Sequence, residues 1–186
     1  MPQARSTWNA WTSHSCCARW TRNWQPGARA RRVRQGGCSR FGSYTGTGGA
    51  TTNGTCVTMP GTGTISTDLL SGEIPAQGGM RFAGANHKLD VTNLRLHIGS
   101  RTTSADVSVD GGPATNVDFL HYTLDPTKYS VTPTTVSTKP MPLNLTSPGR
   151  NAFTTAFAAS PVEAGQRLFD FSGEAKFTKP SLPSVS

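Results

Sequence analysis

From Lys88 the chain reads KLDVTNLRLHIG, in which apolar residues recur at every second position, as they do on a half-buried β-strand. Leu89 and Val91 hold one phase, and Leu94, Leu96 and Ile98 resume it one residue late. A strand cannot change phase without turning its face over, so the slip predicts a β-bulge at Thr92–Asn93. Gly99-Ser100 then predicts a turn, and Ala105, Val107 and Val109 a return strand that ends at the turn Asp110-Gly111-Gly112-Pro113. Val117 and Phe119, then Leu120, Tyr122 and Leu124, repeat the alternation with a second slip. Tyr129–Ser137 and Leu143–Thr146 extend it, with Pro133, Pro140 and Pro142 marking edges or kinks. Arg167–Phe177 predicts a closing strand, with Leu168 out of phase with Phe169 and Phe171.

One segment has the other period. Ala152, Phe153, Ala156 and Phe157 form a single helical stripe behind Ser147-Pro148-Gly149, and Pro161 stops its continuation. The pattern therefore predicts a mainly β protein. Its core is an antiparallel β-sandwich or barrel-like domain with one short α-helix near residues 148–159.

Texture divides the chain into four parts. Residues 64–178 carry the β pattern as a single domain, and residues 179–186 read as a disordered tail. Residues 41–63 are a Gly/Thr-rich entry with one short strand at Thr55–Met59. Residues 1–40 hold all four tryptophans, three of the four cysteines and eight arginines, without any lysine, acid, leucine, isoleucine or phenylalanine. That composition predicts a disordered basic segment. It is also what GC-rich DNA yields when translated out of frame, so a non-native origin is the second reading.

Charge confirms the division. The formal net charge is +8, and the eight arginines of residues 1–40 supply all of it; residues 41–186 carry ten basic and ten acidic side chains. The body is neutral, which argues against nucleic-acid binding by it. No run of about 18 apolar residues is present, and the N-terminus lacks the apolar stretch of a secretion signal.

Candidate chemistry is sparse. No nucleophile elbow, zinc-protease helix or phosphate loop is present, and no acidic pair has acid–base spacing, so an enzyme is not expected. His87 falls in a turn, while His97 and His121 fall on strands as exposed or hydrogen-bonded structural residues; Tyr122 reads as core. Cys56 reads either as a small apolar filler or as the partner of Cys38 in a disulfide of a secreted chain.

The stretch GGMRFAGANHKLDVTNLRLHIGS, followed by SADVSVDGG, NVDFLHYTLDP and LTSPGRNAFTTAFAASPVEAGQRLFDFS, resembles the HtaA-type haem-binding domains of actinobacterial envelope and secreted proteins over about residues 60–177. In that family a tyrosine in a motif like S-F-x-x-Y holds the haem iron, and a histidine of an F-x-G-H turn hydrogen-bonds to it. Ser39-Arg40-Phe41-Gly42-Ser43-Tyr44 offers Tyr44, with one extra residue before Phe41. The turn reads Phe82-Ala83-Gly84-Ala85-Asn86-His87, with alanine where the family has histidine and His87 two positions later.

The resemblance implies haem (iron) binding or transfer by a non-enzymatic, secreted or cell-envelope protein whose partner is haem or a haem-carrying protein. Tyr44 would be the metal ligand, His87 its neighbour, and Phe82 and Phe41 the packing against the porphyrin. The alternative is a structural or adhesive extracellular β-sandwich without cofactor.

Overall fold

The computed structural model describes residues 5–17 (their backbone course), 43–53, 56–66, 70–132 and 135–178. They form one sheet of thirteen strands with one α-helix and one 3-10 turn, Pro126–Lys128. In chain order the strands are β1 (Arg5–Cys17), β2 (Ser43–Thr47), β3 (Thr51–Asn53), β4 (Cys56–Gly61), β5 (Thr64–Ser66), β6 (Gly72–Pro75) and β7 (Gly79–Ala83). They continue with β8 (Lys88–His97), β9 (Thr102–Val109), β10 (Thr115–His121), β11 (Tyr129–Val131), β12 (Thr135–Leu145) and β13 (Arg167–Thr178); the helix α1 (Ser147–Phe157) lies between the last two. Hydrogen-bonded neighbours run from β12 through β10, β9, β8, β6 and β5 to β1, and β13 pairs with both β1 and β12. The sheet thus curls until its path returns on itself, a barrel-like antiparallel architecture. β7 and β2 branch from the first half of β8, and β4 and β3 from β1.

The phase slips become register shifts. Pairing of β8 with β9 jumps between Thr92 and Arg95, and Asn93 takes φ 51°, where an asparagine is better tolerated than most residues. β10 shifts between Asp118 and Leu120, so Phe119 and Leu120 are both buried despite being adjacent. The turn after β9 has Asp110 at φ 53° and Gly111 at φ 79°, and Gly112 N donates to Val109 O, the I′-type turn that Asp-Gly favours; the ladder resumes with Thr115 opposite Val107. Pro140 and Pro142 fall where β12 has left β11 at Thr138 and not yet met β10 at Asn144, so no ladder on that side needs their missing N–H.

α1 begins at the N-cap Thr146, whose hydroxyl accepts from Gly149 N at 3.0 Å. It ends at Ala158 in the left-handed region. Gly149 is required by close approach: a Cβ there would lie 2.5 Å from the carbonyl oxygen of Phe119. The helix buries Ala152, Phe153 and Ala156 against the sheet.

Three observations redraw the N-terminal part. Arg5–Cys17, expected to lack order, runs as strand between β13 and β4–β5. Its Thr and Trp content carries β propensity that a search for aliphatic residues overlooks. The Gly/Thr-rich entry supplies β2, β3 and β4, and its strand begins at Cys56 and runs to Gly61. Cys56 is half-buried and disulfide-bonded, so it is not a free apolar filler; the other cysteines of the chain are Cys16, Cys17 and Cys38. Residues 18–42 and 179–186 lie outside the described residues.

Among the described residues two polar side chains are buried, Thr103 and Ser104. Ser104 Oγ meets His97 Nε2, whereas Thr103 is 5% exposed and its Oγ1 has no hydrogen-bond partner among them. Around it stand Ile74, Met80, Leu94, Leu96, Leu120 and Leu143. An orphaned buried hydroxyl keeps its desolvation cost without return, and valine has the same shape without that group. Thr103→Val is expected to raise the unfolding free energy by about 1 kcal/mol. A urea midpoint below that of the parent chain would show that the hydroxyl has a partner in solution.

Candidate functional site

Strand pairing builds an aromatic wall at one end of the sheet. Tyr44 in β2 lies opposite Phe82 in β7, Phe82 opposite Leu89 in β8, and Leu89 opposite Val109 in β9. The period of two turns these residues inward together, and Tyr44 is only 9% exposed. Its ring stacks on Phe82 with centroids 5.8 Å apart and 27° between planes, and meets Phe169 edge-on at 6.4 Å. Phe82 in turn meets Phe153 of α1 edge-on at 4.9 Å, and Phe153 contacts Phe119 and Phe157. Phe157 covers Gly84, where a Cβ would come within 3.2 Å of its ring.

His87 closes the turn that follows β7, in which Gly84 N donates to the His87 carbonyl at 2.8 Å. Its side chain is 58% exposed, and Nδ1 lies 2.8 Å from Asp110 Oδ2. The other oxygen of Asp110 accepts from Lys88 N at 2.8 Å. Both hydrogen bonds, that to His87 foremost, hold the Asp110 carboxyl below the usual carboxylate range. Of the four residues that the sequence put forward, the structure therefore joins Tyr44 and Phe82 in one wall. It sets His87 on an exposed turn with Asp110, and Phe41 lies outside the described residues.

Asp110 was legible only as a turn residue; it sits 23 positions from His87 and meets it because β8 and β9 pair in this register. A second polar group escaped notice for the same reason. On the outer face His97 Nε2 lies 2.8 Å from Ser104 Oγ, and its Nδ1 lies 3.4 Å from Glu73, which also accepts from Arg95 at 3.0 Å. The order of carboxylate, imidazole and hydroxyl suits a nucleophile, but Ser104 sits mid-strand with Arg95 and Asp118 paired on either side. That ladder pairing engages the neighbouring backbone N–H groups, the donors an oxyanion would otherwise draw on. The group ties β6, β8 and β9 together. His121 Nε2 lies 3.5 Å from Asn144 Nδ2, and Tyr122 is buried with its hydroxyl donating to the His97 carbonyl; burial pushes its pKa up to about 12, against the pull of Arg101. Among the described residues no three His, Cys, Asp or Glu side chains gather as a metal-ion cluster.

Carboxylates on the outer face are held by donors. Asn93 Nδ2 and Asn116 Nδ2 bond the two oxygens of Asp106 at 2.7 and 2.8 Å, and they hold its carboxyl low, Asn93 most. The hydroxyl and N–H of Thr127 both donate to Asp125 Oδ1 and likewise hold that carboxyl low. A carboxyl with a folded-state pKa below its unfolded value stabilises fully above the unfolded value, and the effect vanishes as pH falls through the folded one. Stability is therefore expected to drop as pH falls below the ordinary carboxylate range of about 4. Asn116→Ala should flatten that drop in a series of urea midpoints against pH, and a parent curve without any drop would refute the assignment.

Comparison with known proteins places this geometry. The chain is similar to the crystal structure of the C-terminal domain of HtaA from Corynebacterium glutamicum, with a TM-score of 0.63 and 16% identity; the match covers 93% of this chain and 100% of that one. It is also similar to the N-terminal domain of HtaA from the same organism, at a TM-score of 0.57 and 16% identity over 74% of this chain and 85% of that one. No curated protein matches the sequence. The two structures show that the fold is shared. The family profile described as Htaa matches residues 34–163, which is more than half of the sequence and spans Tyr44, Phe82, His87, Asp110 and Phe153. The chain belongs to the HtaA family.

Proposed function

We propose that this chain is a non-enzymatic haem-binding domain, secreted or carried in the cell envelope, in which Tyr44 supplies the iron ligand. The observation that carries the proposal is the phenol of Tyr44 standing in an aromatic wall with Phe82, Phe153 and Phe169. The donor set fits the group. A phenolate is a hard anion suited to ferric iron, and aromatic faces suit the apolar flanks of a porphyrin. Haem, when bound, supplies the ferric centre and its ligand exchange. Tyr44 is nearly covered, so a ligand reaches its oxygen only by displacing part of that cover. The disulfide at Cys56 supports an oxidising compartment outside the cytoplasm. A donor or acceptor of haem is then the natural partner.

Titration with ferric haem tests the proposal. The expected result is a saturable Soret band with a tyrosinate-to-iron charge-transfer feature. A titration that never saturates would leave the scaffold without this cofactor and overturn the assignment.

A further inference from the structure

We infer that His87, oriented by Asp110, is a second, surface iron ligand that captures ferric haem before Tyr44 holds it; the inference rests on the haem-binding function proposed above. The starting point is the tautomer. Asp110 Oδ2 lies 2.8 Å from His87 Nδ1, and a carboxylate only accepts, so Nδ1 carries the proton. In the neutral ring Nε2 is then a bare lone pair. That nitrogen cannot donate a hydrogen bond to a tyrosinate, the role the family resemblance gives its histidine, but it can ligate iron. Carboxylate–imidazole pairs of this form are the usual support of a metal-bound histidine. Asp110 is itself fixed: its second oxygen accepts from Lys88 N, and its own N–H donates to the Lys88 carbonyl at 3.0 Å.

Placement sets the order of events. Register puts Tyr44 and Leu89 in one row across β2, β7 and β8, and His87 lies two residues beyond Leu89, at the same end of the sheet. Two strand spacings across and two residues along separate the two backbones by about 12 Å. At that end the imidazole is 58% exposed and the tyrosine residue 9% exposed. Incoming haem meets the imidazole first. In the transfer the bond from iron to His87 Nε2 breaks, the bond from iron to the Tyr44 oxygen forms, and the phenol proton passes to solvent. Iron stays ferric throughout. Asp110 touches neither iron nor porphyrin and acts as a positioning residue.

Rapid mixing of the full chain with ferric protoporphyrin separates the outcomes. The parent chain should show an early imidazole-ligated spectrum, without the tyrosinate charge-transfer band, that converts to the tyrosinate spectrum. His87→Ala should lose the early species and take up haem roughly tenfold more slowly while ending in the tyrosinate spectrum. Asp110→Asn should weaken the early species by about tenfold, and Tyr44→Phe should stop at it. Circular dichroism of each variant establishes that it is folded. If His87→Ala and Asp110→Asn match the parent in rate and spectra, or Tyr44→Phe shows no imidazole-type species, the capture role is overturned while haem binding by Tyr44 stands. If the parent chain binds no haem saturably, both fall together.

Discussion

Tyr44→Phe is expected to lower equilibrium affinity for ferric haem by roughly 100-fold, about 2.7 kcal/mol, and to abolish the tyrosinate charge-transfer band. The substitution is chosen because it isolates the ligand. Phenylalanine retains the ring that stacks on Phe82 and meets Phe169, so the wall keeps its packing and loses only an oxygen. The accompanying change in unfolding free energy should stay within about 1 kcal/mol, the net worth of one hydrogen bond. Affinity and stability are thereby separated: a site assignment predicts a large effect on the first and a small one on the second. Calorimetric or spectroscopic titration measures one and urea unfolding the other. Unchanged haem affinity in a folded Tyr44→Phe chain would remove Tyr44 from the site. Proportionate loss of both quantities would mark Tyr44 as a packing residue.

Local features of this fold were legible because they are written in adjacent residues. The slip of alternation at Thr92–Asn93 became the register shift of β8, and Ser147-Pro148-Gly149 with its stripe became α1. The curled, mainly β architecture follows from many such segments. What adjacent residues do not encode is pairing across strands. His87 with Asp110, and His97 with Glu73 and Ser104, are contacts between residues 7 to 24 positions apart, set by register rather than by spacing. Tyr44 and Phe82 were named through a family likeness, yet their stacking depends on β2 pairing with β7. That pairing lies in a segment whose glycines and threonines read as a Gly/Thr-rich entry with a single short strand. The same glycines suit it to the sheet: a Cβ at Gly46 would lie 2.9 Å from the carbonyl oxygen of Ala50, in the turn between β2 and β3. Sequence composition therefore misjudged the entry because close backbone approach and flexibility select the same residue.

Phe153→Ala is expected to cost about 3–5 kcal/mol of unfolding free energy, the largest stability effect of any single truncation proposed for this domain. Phe153 is fully buried, and its ring touches Phe82, Phe119 and Phe157. It is the point at which α1 joins the wall that holds Tyr44. Truncation deletes most of a ring and leaves a cavity bounded by aromatic side chains on three sides, and helix and sheet backbones cannot close such a gap without moving. Gly149 limits that motion, because the helix start already presses on the Phe119 carbonyl and Leu145. For a domain of this size the melting temperature should fall by roughly 6–20 °C. Phe153→Leu refills part of the volume and should recover at least half of the loss. The pair also bears on function. If α1 shapes the haem wall through Phe153, the leucine variant will fold yet bind haem more weakly than the parent, with the tyrosinate band intact. A leucine variant no more stable than the alanine one would show that the ring is not packed where its neighbours place it.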